Sequence, residues 1–351
     1  MRFDLAAQAP QLVMLAYGHI AFAVVIGGML LLLDVVPTYF ARRRERALVA
    51  IVAAGGTPPL SLRRKRGETG YAMFFLLPVL LLVLIGLVIP AIRTSLLSLM
   101  SRDSSEFVGL RNYRWMFTND DILGVLTNTA TWVVLVPLLA TTVGLLYAVM
   151  VDRARFEAVA KSLIFLPMAI SFVGASIIWR FVYAYRSDEQ DQIGLLNQIA
   201  VALGATPRQW LQDPPLNNLL LIVVLVWIQA GFAMVVLSAA IKAIPGDIIE
   251  AAKLDGVNAW QMFTRVTLPT IRPALIVVVV AITIATMKVF DIVRTMTNGN
   301  FDTNVVALEM YNQAFRYQET GQGSALAVFL FILVIPVVIF QVRNLRRQRE
   351  G

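Results

Sequence analysis

The side chains best placed to do chemistry sit in two settings: polar groups inside long apolar runs, and one polar interruption between two such runs. In the first setting, Trp227, Gln229, Gly231 and Phe232 make a polar-aromatic patch in an aliphatic stretch, and Thr283, Thr286 and Lys288 follow in the next run. A buried amide without partners is costly, so polar groups facing the inside of a membrane bundle are candidate functional groups. Aromatic faces beside amides and hydroxyls suit a neutral, hydroxyl-rich solute, which has C–H faces to stack and hydroxyls that donate and accept. Packing explains each residue singly, Thr283 above all, and snorkelling explains Lys288 near the end of its run. Ser171, Gly174, Ala175 and Ser176 give an earlier run a small-residue face for close helix approach. The second setting is Pro245 to Pro273, where Asp247, Glu250 and Asp255 join apolar residues at helical spacing.

Other chemistry is missing. There is no cysteine and one histidine, His19, within an apolar run, so thiolate sites and paired-histidine metal sites are excluded. No G-x-x-x-x-G-K-[ST] phosphate loop, H-E-x-x-H or G-x-S-x-G occurs. Hydrolysis of ATP, if it drives this protein, has to come from another chain.

The 351 residues are 58% hydrophobic and 15% charged, and several apolar runs reach the roughly 20 residues a helix needs to cross a bilayer. We read an all-α polytopic membrane protein with seven spans: 11–33, 71–92, 125–151, 162–185, 216–241, 271–290 and 325–342. A cleaved signal does not fit the first, which is long and runs into Asp34 and a basic cluster. Ala47 to Gly56 is too short to span. Most of the 30 Lys and Arg fall on one side of this arrangement, including Arg42 to Arg46, Arg63 to Arg66, Arg153, Lys161, Lys242, Arg265 and Arg343 to Arg349. The positive-inside rule then puts the N-terminus outside and the C-terminus in the cytoplasm. The net charge of +8 is a topology signal and not a nucleic-acid one, and the basic clusters also suit contact with anionic lipid headgroups.

The same arrangement puts Pro245 to Pro273 in the cytoplasm. Asp247 with Glu250 fits a capping box, Asp255-Gly256 signals a turn, and Asn258 with Gln261 fits a second cap. The second helix is expected to end at Pro269. Two short helices at a bend would offer apolar and acidic groups to something outside the membrane.

Glu250-Ala251-Ala252, Asp255-Gly256 and Leu268-Pro269 resemble the EAA loop of ABC-importer permeases, in the form carried by the carbohydrate (MalF-type) branch. Val257 departs from the alanine many relatives have after the glycine. Phe107-Val108-Gly109-Leu110-Arg111-Asn112-Tyr113, Asn128-Thr129 and Gly194-Leu195-Leu196-Asn197 are similar to further segments of that branch. Val289 to Val293, Met296 to Gly299 and Gly323 to Ala327 resemble its alpha-glucoside members. The resemblance covers the chain from about Tyr71, so residues 1–70 are expected to be an added helix with a basic connector and 71–351 the permease core.

It implies a type I importer transmembrane domain whose cytoplasmic coupling helix (Glu250, Ala251, Ala252, Asp255, Gly256, with Leu268 and Pro269) docks on an ATPase. It also implies a substrate path drawing on Gln229, Gly231, Phe232, Ser171, Ser176, Thr286 and Lys288. The expected partners are a homologous second permease, two ATPase subunits that hold ATP and Mg, and an extracytoplasmic sugar-binding protein, with no cofactor on this chain. Rival readings are a permease for glycerol phosphate or a polyamine, or an ion-coupled carrier. The last would need intramembrane acids, and the spans' interiors hold almost none.

Overall fold

The computed structural model describes residues 76–152, 155–187 and 190–350. The first span read from the sequence and the run 47–56 lie outside them. The chain divides into two compact units, Met1–Ile92 and Arg93–Gly351. Among the described residues the secondary structure is helical, apart from one isolated bridge between Met100 and Phe107.

Helix α1 (Leu76–Leu97) carries leucine and isoleucine on every side and is about 33 Å long, enough to cross a bilayer. In the second unit, α2 (Arg111–Thr118) precedes α3 (Asp120–Val151), whose first turn is capped by the Asn119 side chain accepting from the Ile122 N–H at 3.1 Å. The long α7 (Leu216–Lys242) runs parallel to α3 and packs along it. Small residues set that crossing: a Cβ on Gly144 would stand 2.8 Å from the Met234 nitrogen and 2.9 Å from the Ala230 oxygen. Between α3 and α7 come α4 (Glu157–Phe165), α5 (Phe172–Val182) and α6 (Leu195–Ala202). Beyond α7 lie α8 (Gly246–Leu254), α9 (Ala259–Thr270), α10 (Arg272–Met287), α11 (Asp291–Met296), α12 (Val306–Tyr311) and α13 (Thr320–Glu350). The main core joins Trp132, Leu221, Leu225, Met234, Leu237 and Ile282, so α3, α7 and α10 close around one apolar centre.

The expected span 162–185 is a broken one. Its halves, Glu157–Ala169 and Phe172–Val182, meet at 102°. Pro167 cannot donate to the helical ladder, the chain tightens into a 3₁₀ turn over Leu166–Ala169, and Ile170 is extended. Ser171 then caps α5 by accepting from the Gly174 N–H at 3.0 Å. At about 16 Å, α5 is too short to cross a bilayer alone. Among the described residues, the expected spans 71–92, 125–151, 216–241 and 325–342 each have one long helix as counterpart, and α10, the counterpart of 271–290, is preceded by a 68° bend at Ile271.

The polar segments at the ends of the bundle are stapled by buried amides. Asn112, in the F-V-G-L-R-N-Y segment, donates to the carbonyls of Ser98 (2.8 Å) and Met100 (2.9 Å). Asn197, in G-L-L-N, donates to the carbonyls of Ala184 and Arg208 (3.0 Å each) and accepts from the Arg208 N–H (2.9 Å) and the Trp210 indole (2.7 Å).

Candidate functional site

The Pro245 to Pro273 stretch folds into two helices joined by a turn. Three residues separate α7 from α8, which begins directly after Pro245. The expected Asp247–Glu250 capping box does not form: Pro245 is the N-cap residue and no side chain caps. Starting two residues earlier puts Asp247 inside the first turn, where its carboxylate complements the helix dipole instead. Ile249 and Ala252 face the protein, whereas Ile248, Glu250, Ala251 and Asp255 are exposed and Leu254 is 89% exposed.

Gly256 adopts φ +74° and no heavy atom lies within 4 Å of where its Cβ would be. The glycine is therefore required by the backbone and not by space, and it lets the Val257 N–H return to the Ala252 carbonyl at 3.3 Å. The second cap forms as the spacing predicts: Asn258 Oδ1 accepts from the Gln261 N–H (2.8 Å), and Gln261 Oε1 from the Asn258 N–H (2.9 Å).

Pro269 does not end α9. A π turn over Met262–Thr267 sends the Leu268 N–H to the Phe263 carbonyl, and the helix continues to Thr270 before bending at Ile271. The widened turn accommodates a residue that lacks a donor. Trp260, 72% exposed, stands on the outer side of α9.

At this end of the bundle, a charged cluster that the sequence offered only as topology signals ties three helices together. Lys161 of α4 bonds Asp152 at the end of α3, Glu157 one turn earlier at 2.8 Å, and Ser238 of α7. Ser238 also donates to Asp152 at 2.6 Å, and Lys242 pairs with Glu157. The charge pattern gave no signal for it, because Asp152 and Ser238 are 86 residues apart.

The candidate path residues fall into two groups. Ser176 and Thr286 are fully buried and donate to their own helices, at the carbonyls of Phe172 (2.7 Å) and Ile282 (2.8 Å). Gly231 is a packing position: a Cβ there would stand 2.7 Å from the Ile164 carbonyl oxygen. Ser171 is an exposed cap, and Lys288 is exposed just past α10. Gln229 and Phe232 are half-buried on α7, and Gln229 makes no hydrogen bond among the described residues, which leaves its amide free to serve a ligand. Trp227 packs edge-on against Trp179 of α5 at 5.6 Å between centroids. No hydrogen bond joins any of these candidates to another.

At the opposite end, where α3 and α7 begin, an amide network holds the loop between α11 and α12. Asn128 donates to the carbonyls of Asp302 (2.6 Å) and Asn304 (3.0 Å) and accepts from Asn218 (3.0 Å), which accepts from the Trp132 indole (2.7 Å). Asn217 donates to the Phe301 carbonyl at 2.6 Å, and Thr129 accepts from the Val306 N–H at 2.9 Å. The network restrains a loop in which Asn298, Phe301 and Asp302 all hold positive φ.

Residues 140–350 match the family described as "Binding-protein-dependent transport system inner membrane component". The chain is 48% identical over 276 residues to the osmoprotective compounds uptake permease protein GgtC of Synechocystis sp., across 79% of this chain and 99% of that protein. It is 47% identical over 278 residues to the alpha-glucoside transport system permease protein AglF of Rhizobium meliloti, across 79% and 83%. In structure it is similar to a bacterial alginate ABC transporter solved with an alginate pentasaccharide-bound periplasmic protein, with a TM-score of 0.69 and 24% identity over 80% of this chain and 95% of that one. At that identity the likeness establishes the fold.

Proposed function

We infer that this chain, which belongs to the family of binding-protein-dependent transport system inner membrane components, is the permease subunit of an ATP-driven sugar importer. It is a multi-pass membrane protein with the transmembrane fold of an ABC importer, and it is a transport subunit and not an enzyme. The observation that carries the reading is the Gly246–Thr270 helix–turn–helix, with Glu250, Ala251 and Leu254 free to enter a cleft on another protein. Docking there, on an ATPase that holds ATP and Mg, would pass nucleotide-driven closure to α7 and α10. Ala252 would fix the inner face of α8, Gly256 its turn, and Leu268 and Pro269 the π-relaxed second helix.

Sugar as cargo, of the alpha-glucoside kind, is supported by the likeness to AglF and by the free Gln229 amide on the same face of α7 as Phe232. We place solute contact at Gln229 and Phe232, with Ser171 and Lys288 nearer the ends of the path. Gly231, Ser176 and Thr286 shape its walls through packing. The working assembly contains a second permease, two ATPase subunits and an extracytoplasmic binding protein. The distribution of Lys and Arg supports an outside N-terminus and a cytoplasmic C-terminus. Residues 1–70 are read as an added helix and connector ahead of the core.

The test is the ATPase activity of the reconstituted complex with its binding protein, across alpha-glucosides, glycerol phosphate and polyamines. Stimulation by an alpha-glucoside is expected. Stimulation only by a charged solute would keep the coupling and discard the cargo.

A further inference from the structure

The amide-stapled end of the bundle encloses a cavity of about 730 Å³, within the range of small-molecule sites. Its walls come from α2, residues 120–128 of α3, the 299–304 loop, α12 and the segment after it, and the start of α13, and they include Trp115, Asp120, Asp121, Gln313, Tyr317 and Gln322. None of the residues assigned to the α7 path lines it. We propose that this cavity is a separate carbohydrate subsite at the outer mouth of the permease, holding a neutral, hydroxyl-rich solute before it reaches the α7 patch. The proposal rests on the sugar reading and the orientation above.

Three features select that chemistry. The walls are fixed before a ligand arrives: Asn119 caps α3, Asn128 holds the Asp302 and Asn304 carbonyls, and Asn304 donates to Glu309 at 2.7 Å. Preformed walls reduce the ordering cost of binding.

The unspent polar groups are of both kinds. The indole N–H of Trp115, the Tyr317 hydroxyl and the Gln322 amide make no hydrogen bond among the described residues, and neither do the carboxylates of Asp120 and Asp121. The Gln313 amide N–H is used on Glu309 at 2.6 Å, which leaves its carbonyl oxygen. Donors and acceptors around one concavity match sugar hydroxyls, which do both, and Trp115 and Tyr317 supply aromatic faces.

Four carboxylates line the cavity, Asp120, Asp121, Asp302 and Glu309, and the charge of three of them is already answered. Asp120 and Asp121 sit on the N-terminal turn of α3, where the helix dipole favours carboxylates. Buried Glu309 spends both oxygens on the Asn304 and Gln313 amides. No group of three metal-ligating side chains occurs among the described residues. The carboxylates are therefore placed as hydroxyl acceptors and do not gather into a metal site.

The experiment uses the assembled importer in nanodiscs without its binding protein, titrated with maltose, trehalose and sucrose and followed by saturation-transfer NMR. The wild type should give a saturable signal with at least one of them. Asp121→Asn and Gln322→Ala should each weaken the apparent Kd about fivefold, as for loss of one hydrogen bond, while Gln229→Ala leaves a residual signal. Affinity of the same nanodiscs for the sugar-loaded binding protein is measured in parallel. A wild type whose ATPase responds to that protein but which shows no sugar signal overturns the proposal. So do variants that lose binding-protein affinity with an unchanged sugar signal, because the cavity would then be a protein-docking surface. If no sugar stimulates the wild-type ATPase at all, the sugar reading itself falls.

Discussion

The carbonyl oxygen of Ile164 occupies the space that a side chain at Gly231 would need, 2.7 Å from the position of a Cβ. The backbone of α4 thus lies against α7 on one side while Gly144 brings α3 against the other. Gly231→Val should cost about 1–3 kcal/mol through overpacking and lower the Tm of the purified complex. Full stability with altered uptake would show instead that the position acts through the solute.

For the coupling segment, Glu250→Lys and Gly256→Arg should abolish uptake while leaving membrane insertion intact. Gly256→Asn is the gentler probe, because asparagine tolerates the left-handed region, and it should retain most activity. Normal uptake by both harsher variants would remove α8 from the coupling role.

Gln229→Ala takes away an amide with no partner among the described residues, so stability should hardly change. Uptake should weaken with basal ATPase unaltered. An unchanged apparent affinity for every sugar would count against solute contact at this position.

Asn197→Ala should be damaging far from any solute. It strands the Trp210 indole and the backbone groups of Ala184 and Arg208, each costing about 1–3 kcal/mol when left buried and unpaired. Thermal melting should fall, and limited proteolysis between Arg186 and Asn217 should speed up.

Hydrogen bonds from the Ser105 and Ser101 hydroxyls lower the Asp103 carboxyl pKa to about 2, below its ordinary 3.8. Between those values the folded loop binds fewer protons than the unfolded chain, so its contribution is full above pH 4 and disappears as pH falls to about 2. Asp103→Asn should flatten that part of the acid melting profile.

Local features were readable from the sequence. The apolar runs located the long helices, Asp255-Gly256 the turn, and Asn258 with Gln261 the second cap, because each depends on neighbours within a few residues. The break at Leu166–Ala169 was hidden because its hydrophobicity is continuous and only Pro167 marks it. Pro269 misled because a π turn, invisible in spacing, absorbs it. Ser176 and Thr286 are buried and donate their hydroxyls to their own helices, an arrangement that residue spacing does not reveal. The amides of Asn128 and Asn197 were visible as motif letters and that of Asn217 was not, and their partners lie up to 176 residues away and come together only in the fold.

Of the three longest helices, α3 contains Pro137, α13 contains Pro336, and α7 contains no internal proline. Proline-free and gripped on both sides at Gly144 and Gly231, α7 behaves as a stiff push-rod about 40 Å long. One end is joined by three residues to α8, and at the other Asn217 holds the strained 298–302 loop directly while Asn218 holds it through Asn128. On the proposed coupling, a thrust delivered at Pro245 would have little opportunity to dissipate along the rod and would reach the far side of the bilayer as a tug on that loop.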